Sequence, residues 1–136
     1  MPLLQNRRAS VVVALAALAV AGTFFANQRF AQADIRHRAE ALTGGSVNRG
    51  RDLFAAKGCG GCHTVSGVAQ AEGLVGPPLD GVAARAIIAG KLANTPINLA
   101  RWISSPQSVV PGNAMPDLPI TAQEARDIAA FLYTRV

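Results

Sequence analysis

The stretch Cys59-Gly60-Gly61-Cys62-His63 constrains this chain more than any other. On one helical turn the two cysteines stand three residues apart and the histidine follows four after the first. Two thiols and an imidazole then project from one face. C-x-x-C-H reads as the attachment site of a c-type haem. Each thiol would add across a vinyl group to give a thioether, and the imidazole would take one axial position on the iron. Two other chemistries use a C-x-x-C pair. A redox dithiol is expected in a βαβ setting, which the pattern does not supply. Zinc needs a fourth ligand, for which only His37 or a carboxylate is on offer, without the usual second ligand pair. Neither cysteine is left over for a structural disulfide.

The 136 residues suffice for one domain plus an appendage, and the appendage is apolar. Ala9 to Gln28 carries no charge and includes the run Val11-Val12-Val13-Ala14-Leu15-Ala16-Ala17-Leu18-Ala19-Val20. A helix of that length spans about 30 Å, the thickness of a bilayer core. Ala31-Gln32-Ala33 has the small-x-small form that a signal peptidase cuts. The uncharged stretch nevertheless exceeds the roughly 7–15 residues of a signal h-region, so a retained anchor is expected over a cleaved signal. Arginines lie on both sides of the span, Arg7 and Arg8 before it and Arg29, Arg36 and Arg38 after it. The positive-inside rule therefore casts no vote on orientation. Attachment of c-type haem outside the cytoplasm does, placing the amino terminus inside.

Much of the net charge of +5 sits on the arginines flanking the apolar run, and no basic stripe remains to support nucleic-acid binding. Residues 31–45 read as a stalk that continues the membrane helix until Gly44-Gly45 ends it. His37 in this stalk is expected to be a solvated linker residue. Ser46 is a good N-cap for a helix to about Lys57, on which Gly50 and Phe54 lie one turn apart. Val65 to Leu74 reads as loop. Gly76-Pro77-Pro78-Leu79-Asp80-Gly81 is rigid, and Val82 to Ala89 has short helical character. Thr95-Pro96 starts a helix to Ser104 with Leu99, Trp102 and Ile103 inward. Trp102 is then core, or a wall of the haem pocket. The prolines of Pro106 to Pro116 predict an extended loop, and Thr121-Ala122-Gln123-Glu124 is a capping box for a final helix. Met115, the one thioether besides Met1, sits on that stiff loop. Methionines commonly fill core gaps, but with a haem in place Met115 is expected to be the second axial ligand.

Gly50 and Phe54, Cys59 to His63, Gly76-Pro77 with Leu79, Gly81 and Arg85, Leu99 to Pro106, and Pro111-Gly112-Asn113-Ala114-Met115 together resemble a class I monohaem cytochrome c. The resemblance runs from Val47 to Val136. With Asn94-Thr95-Pro96 and Asp117-Leu118, the chain is most similar in flavour to the cytochrome c domain fused to subunit II of some bacterial haem-copper oxidases. It implies an all-α, class I cytochrome c fold, three to five helices wrapped round one haem, with an N-terminal transmembrane helix. The expected organisation is 1–30 anchor, 31–45 stalk and 46–136 haem domain. By resemblance, the Pro77 carbonyl accepts a hydrogen bond from His63 Nδ1, Arg85 lies near a haem propionate, and Trp102 stands beside the methionine ligand. Gly50 and Phe54 should meet Ile128 and Phe131 where two helices cross. The chain departs from mitochondrial cytochrome c in lacking the Trp and Tyr of the propionate-side loop. It also lacks the lysine ring, having only Lys57 and Lys91.

Ligands on both faces leave the iron no open position, so the expected activity is one-electron transfer by a haem c held through Cys59 and Cys62, with His63 and Met115 on the metal. Such a protein has no small-molecule substrate and is no enzyme by itself. Its expected place is the bacterial inner membrane, haem domain on the periplasmic side. There it would feed a terminal cytochrome oxidase from a quinol-oxidising complex or serve as a subunit of a respiratory complex. The alternatives are the cytochrome subunit of a periplasmic or membrane dehydrogenase and, in a different class, a haem-based gas sensor.

Overall fold

No turn signal interrupts the chain before Gly44-Gly45, and helix α1 accordingly runs Pro2–Thr43. The computed structural model describes residues 2–136, with side chains from Ser10 onward; Met1, where the expected anchor begins, and the Arg7 and Arg8 side chains lie outside the described residues. The chain divides into two compact units, one ending at Ile35 and the other spanning Arg36–Val136. Within the first, the helix exposes Val12, Val13, Leu15 and Phe25 on all sides. Such a helix finds its partner in lipid or protein and not in water. The portion from Ser10 reaches a mean hydropathy of 2.0 and is long and apolar enough to cross a membrane. His37 is exposed on the same helix.

The second unit is built on α2 (Val47–Ala56), α3 (Pro96–Ser104), α4 (Pro106–Val109) and α5 (Ala122–Tyr133). Local chemistry starts three of them. Ser46 Oγ accepts the Arg49 amide at 3.5 Å, and Thr95 Oγ1 accepts the Asn98 amide at 3.2 Å. At α5 the capping box closes in both directions, Glu124 N to Thr121 Oγ1 at 3.2 Å and Thr121 N to Glu124 Oε2 at 2.7 Å. Each cap satisfies amides that the first helical turn leaves without partners.

Helices α2 and α5 cross where Gly50 meets the Asp127–Ile128 backbone so closely that a Cβ would collide with the Asp127 carbonyl. One turn on, the Phe54 and Phe131 rings pack with centroids 5.7 Å apart. The bare backbone of Gly50 permits the approach that lets the two rings meet. Phe54, Phe131 and Ile128 are the largest fully buried apolar side chains apart from Pro106. Each contributes roughly 1.5–3 kcal/mol by burial. They belong to a core with Val82, Ile88, Leu99, Ile103 and Leu132.

Two sequence expectations are corrected. Val82 to Ala89 is not a short α-helix: a 3-10 turn covers Val82–Ala84, and Ile87–Ile88 (β1) pairs antiparallel with Leu92–Ala93 (β2). The turn holds both Ala89 and Gly90 at positive φ, 52° and 64°. Two-residue strands are too short to show alternation, which hides the hairpin from pattern reading. Likewise Pro106 to Pro116 is not wholly extended, because Pro106–Val109 forms the single turn α4. Pro106 takes the first helical position, where its missing N–H costs nothing, and Pro111 falls beyond the end. The prolines bracket this turn and do not forbid it.

Candidate haem site

After α2 the chain tightens into a 3-10 turn at Cys59–Gly61. Both Cys62 N and His63 N point to the Cys59 carbonyl, at 3.2 and 3.0 Å. The turn brings Cys59 and His63 to one cavity of about 280 Å³ lined mainly by apolar side chains, among them Leu79, Val82, Leu99 and Ile128. Met115 reaches the same cavity from the loop after α4, and Trp102, Arg85 and Pro77 line it as well. Cys62 lines a second cavity, about 130 Å³, that shares Cys59, His63 and Met115 with the first. All seven residues singled out for cofactor binding therefore gather at one place.

His63 Nδ1 lies 2.8 Å from the Pro77 carbonyl oxygen. A carbonyl can only accept, so Nδ1 is the donor, and Nε2 is the nitrogen that the neutral ring would offer to a metal. Gly76 stands behind the ring, where a Cβ would collide with Cε1 and Nδ1 of His63. The imidazole is thus held on one side by backbone contact and at one nitrogen by a hydrogen bond. Arg85 donates to the Pro78 carbonyl. Its own carbonyl accepts from Asn94 Nδ2 at 2.9 Å, and Asn94 Oδ1 accepts from Tyr133 OH at 3.2 Å. The rigid Pro77-Pro78 segment, the 3-10 turn and α5 are tied together at this edge.

These residues fit a covalently bound haem. The side chains on offer are an imidazole whose Nδ1 is engaged and a soft thioether, on an apolar cavity with the two thiols at its walls. Burial pushes the Cys59 thiol above its ordinary value. That is the reverse of what a reactive dithiol requires, since such a thiol is active as thiolate. Among the described residues no three His, Cys, Asp or Glu side chains gather as a metal site.

Sequence reasoning gave no individual role to three residues that shape this region. Gln107 and Asn113 hold the backbone around Met115, and Asp127 anchors the crossing of α2 and α5. A polar side chain amid the apolar positions of α5 is the signal that marks Asp127 in the sequence. Gln107 has no comparable signal, because its partners are backbone groups of a loop.

Comparison with known proteins agrees with the geometry. The family model described as cytochrome c matches residues 47–135. Over 89 residues the chain is 39% identical to cytochrome c oxidase subunit 2 of Alkalihalophilus pseudofirmus, a match covering 65% of this chain and 25% of that relative. Over 93 residues it is 34% identical to cytochrome c-551 of Ectopseudomonas mendocina, covering 62% of this chain and 95% of that relative. No solved structure gave a significant match.

Proposed function

Because the chain belongs to the cytochrome c family of electron carriers, with a c-type haem bound covalently, we propose that it is a membrane-tethered one-electron carrier whose iron is ligated by His63 and Met115. The observation that carries this reading is the meeting of His63 and Met115, 52 positions apart in sequence, on one apolar cavity together with Cys59. The haem supplies the one-electron Fe(III)/Fe(II) couple.

The chain's own residues do the rest. Cys59 and Cys62 fix the cofactor through thioethers. The Pro77 carbonyl orients His63 and raises its basicity as a ligand. The Met115 thioether, a soft donor, favours the lower-charge state and raises the potential relative to a second imidazole. Leu79, Val82, Leu99 and Ile128 keep water from the cavity, which works in the same direction. Arg85 and Trp102 line the same cavity, where in this reading Arg85 would meet a propionate and Trp102 would stand beside Met115. With His63 and Met115 both holding the iron, the protein would relay electrons and bind no small-molecule substrate.

The apolar stretch of α1 acts as the tether in this reading, with the haem domain on the periplasmic face of a bacterial inner membrane. Tethering exchanges diffusion in three dimensions for a high local concentration beside a membrane partner. The relative named as an oxidase subunit favours a terminal cytochrome oxidase as electron acceptor; a quinol-oxidising complex would be the donor.

The ferrous protein is expected to stay six-coordinate and refuse carbon monoxide. Met115→Ala should lower the potential and let carbon monoxide bind. An unchanged Met115→Ala spectrum would overturn the ligand assignment, and carbon monoxide binding by the unaltered protein would favour the gas sensor. Gentle extraction from membranes should bring an oxidase along; co-purification with a dehydrogenase instead would displace the oxidase reading.

A further inference from the structure

Met115 is held at both of its backbone polar groups by side chains. Its amide donates to Asn113 Oδ1 at 2.7 Å. Its carbonyl accepts from Gln107 Nε2 at 2.7 Å. The same Nε2 donates to the Asn113 carbonyl at 2.9 Å, and Gln107 Oε1 accepts the Gly112 amide at 2.9 Å. One carboxamide thus uses both of its donors and its acceptor on three residues of a single loop. Gln107 is itself fixed, because its amide donates to Asp117 Oδ1 at 3.1 Å on the far side of Met115. It stands on α4, directly after the buried Pro106. Asn113, Ala114 and Met115 line the cavity and Gln107 does not.

We propose that Gln107 is a positioning residue for the Met115 thioether, setting how firmly that sulfur is held toward the cavity from a place outside it. This rests on the reading of Met115 as an iron ligand and deepens it. The physical reason is entropic. Proline stiffens the start of this loop, but beyond Pro111 the only backbone bond up to Met115 runs from the Asn113 amide to the Val110 carbonyl, so Gly112 to Met115 depend on side-chain anchors to hold one position. Each anchor lost lowers the fraction of time that the sulfur is in place. An incoming ligand competes with Met115 for the iron and reports that fraction directly.

The test is imidazole binding to the ferric holoprotein and carbon monoxide binding to the ferrous form, with the potential measured alongside. Gln107→Ala removes all three contacts and should raise imidazole affinity about tenfold, the equivalent of one net hydrogen bond. It should also lower the potential. Gln107→Glu is nearly isosteric but, when ionised, sets a carboxylate against the Met115 and Asn113 carbonyls, and should raise affinity at least as much. Thr121→Ala, which removes the cap of α5, should cost stability without changing imidazole affinity. Equal affinity in Gln107→Ala, Gln107→Glu and the unaltered protein, while Met115→Ala opens the iron, would overturn this inference and leave the ligand assignment standing. If Met115→Ala itself changes nothing, the ligand reading fails first and this inference with it. A Thr121→Ala effect as large as that of Gln107→Ala would reduce Gln107 to a structural residue.

Discussion

Arg49 and Asp127 form an ion pair between α2 and α5, with Nε 3.1 Å from Oδ2, in which the carboxylate is buried and the guanidinium faces solvent. The same carboxylate accepts the Ser46 amide at 2.7 Å and Gln123 Nε2 at 3.0 Å through Oδ1. One side chain thereby ties the start of α2 to α5. Its neighbour in the chain is Ile128, whose side chain lines the haem cavity.

Asp127→Asn should destabilise the holoprotein by about 2 kcal/mol, because charge-assisted hydrogen bonds at a buried acceptor become neutral or are lost. Burial alone would push this carboxyl up, but Arg49, the Ser46 amide and Gln123 outweigh burial and hold it below the usual carboxylate range. A carboxyl held low in the folded state contributes stability above its unfolded value. That contribution disappears as pH falls through the folded value, so the window lies below about pH 4. Urea unfolding as a function of pH should show a shallower acid limb in Asp127→Asn than in the unaltered chain. Parallel limbs would refute the assignment.

Gly50→Ala should be more damaging than its single methyl group implies. The added Cβ would meet the Asp127 carbonyl, which is helix backbone and cannot swing away. A loss of about 3 kcal/mol is expected, at the upper end for overpacking a core. Thermal unfolding checks this, and a change below about 1 kcal/mol would show that the helices can separate cheaply at this point.

Gly76→Ala tests the support behind His63. Here the collision is with the imidazole ring, so either the ring turns or the Gly76-Pro77 backbone retreats. Both weaken the 2.8 Å contact to the Pro77 carbonyl and make the imidazole a poorer donor. The potential should rise by about 60 mV, a tenfold change for a one-electron couple. Potentiometry with an unshifted midpoint would show that the ring is held by other means.

Deleting the chain through Ile35 should move the protein from the membrane fraction to the soluble one while leaving the haem spectrum unchanged. The haem-site side chains and the apolar core described above all belong to the unit Arg36–Val136. Fractionation with the truncated form still in the membrane would point to a second attachment.

The parts of this fold that could be read in advance are those whose partners lie nearby in sequence. Ser46, Thr95 with Pro96, and Thr121 with Glu124 declare helix starts because each cap is satisfied within three residues. Gly50 and Phe54 suit a helix crossing, as the resemblance implies, although a plain amphipathic helix would carry the same spacing. What escaped was chemistry closed over distance. Asp127 meets partners 78 and 81 positions away, and Tyr133 reaches Asn94 across 39. The Ile87–Ala93 hairpin escaped for the opposite reason, being too short to carry a period. At the site, the C-x-x-C-H residues and Met115 were legible by residue type. Gln107 was not, because nothing in its own identity says which carbonyls it will hold.

The crossing of α2 with α5 also has a kinetic meaning. The Ser46 amide and Asp127 are separated by 81 positions, so this contact can form only after nearly the whole haem domain has been synthesised. Closing so long a loop adds little to the final free energy but slows the search for the native arrangement. Cys59 and Cys62 lie between the two helices in sequence, and the cavity wall supplied by Ile128 and Leu132 comes from the last helix. Both thiols therefore precede that wall along the chain and cannot be covered by it until the last helix has been synthesised.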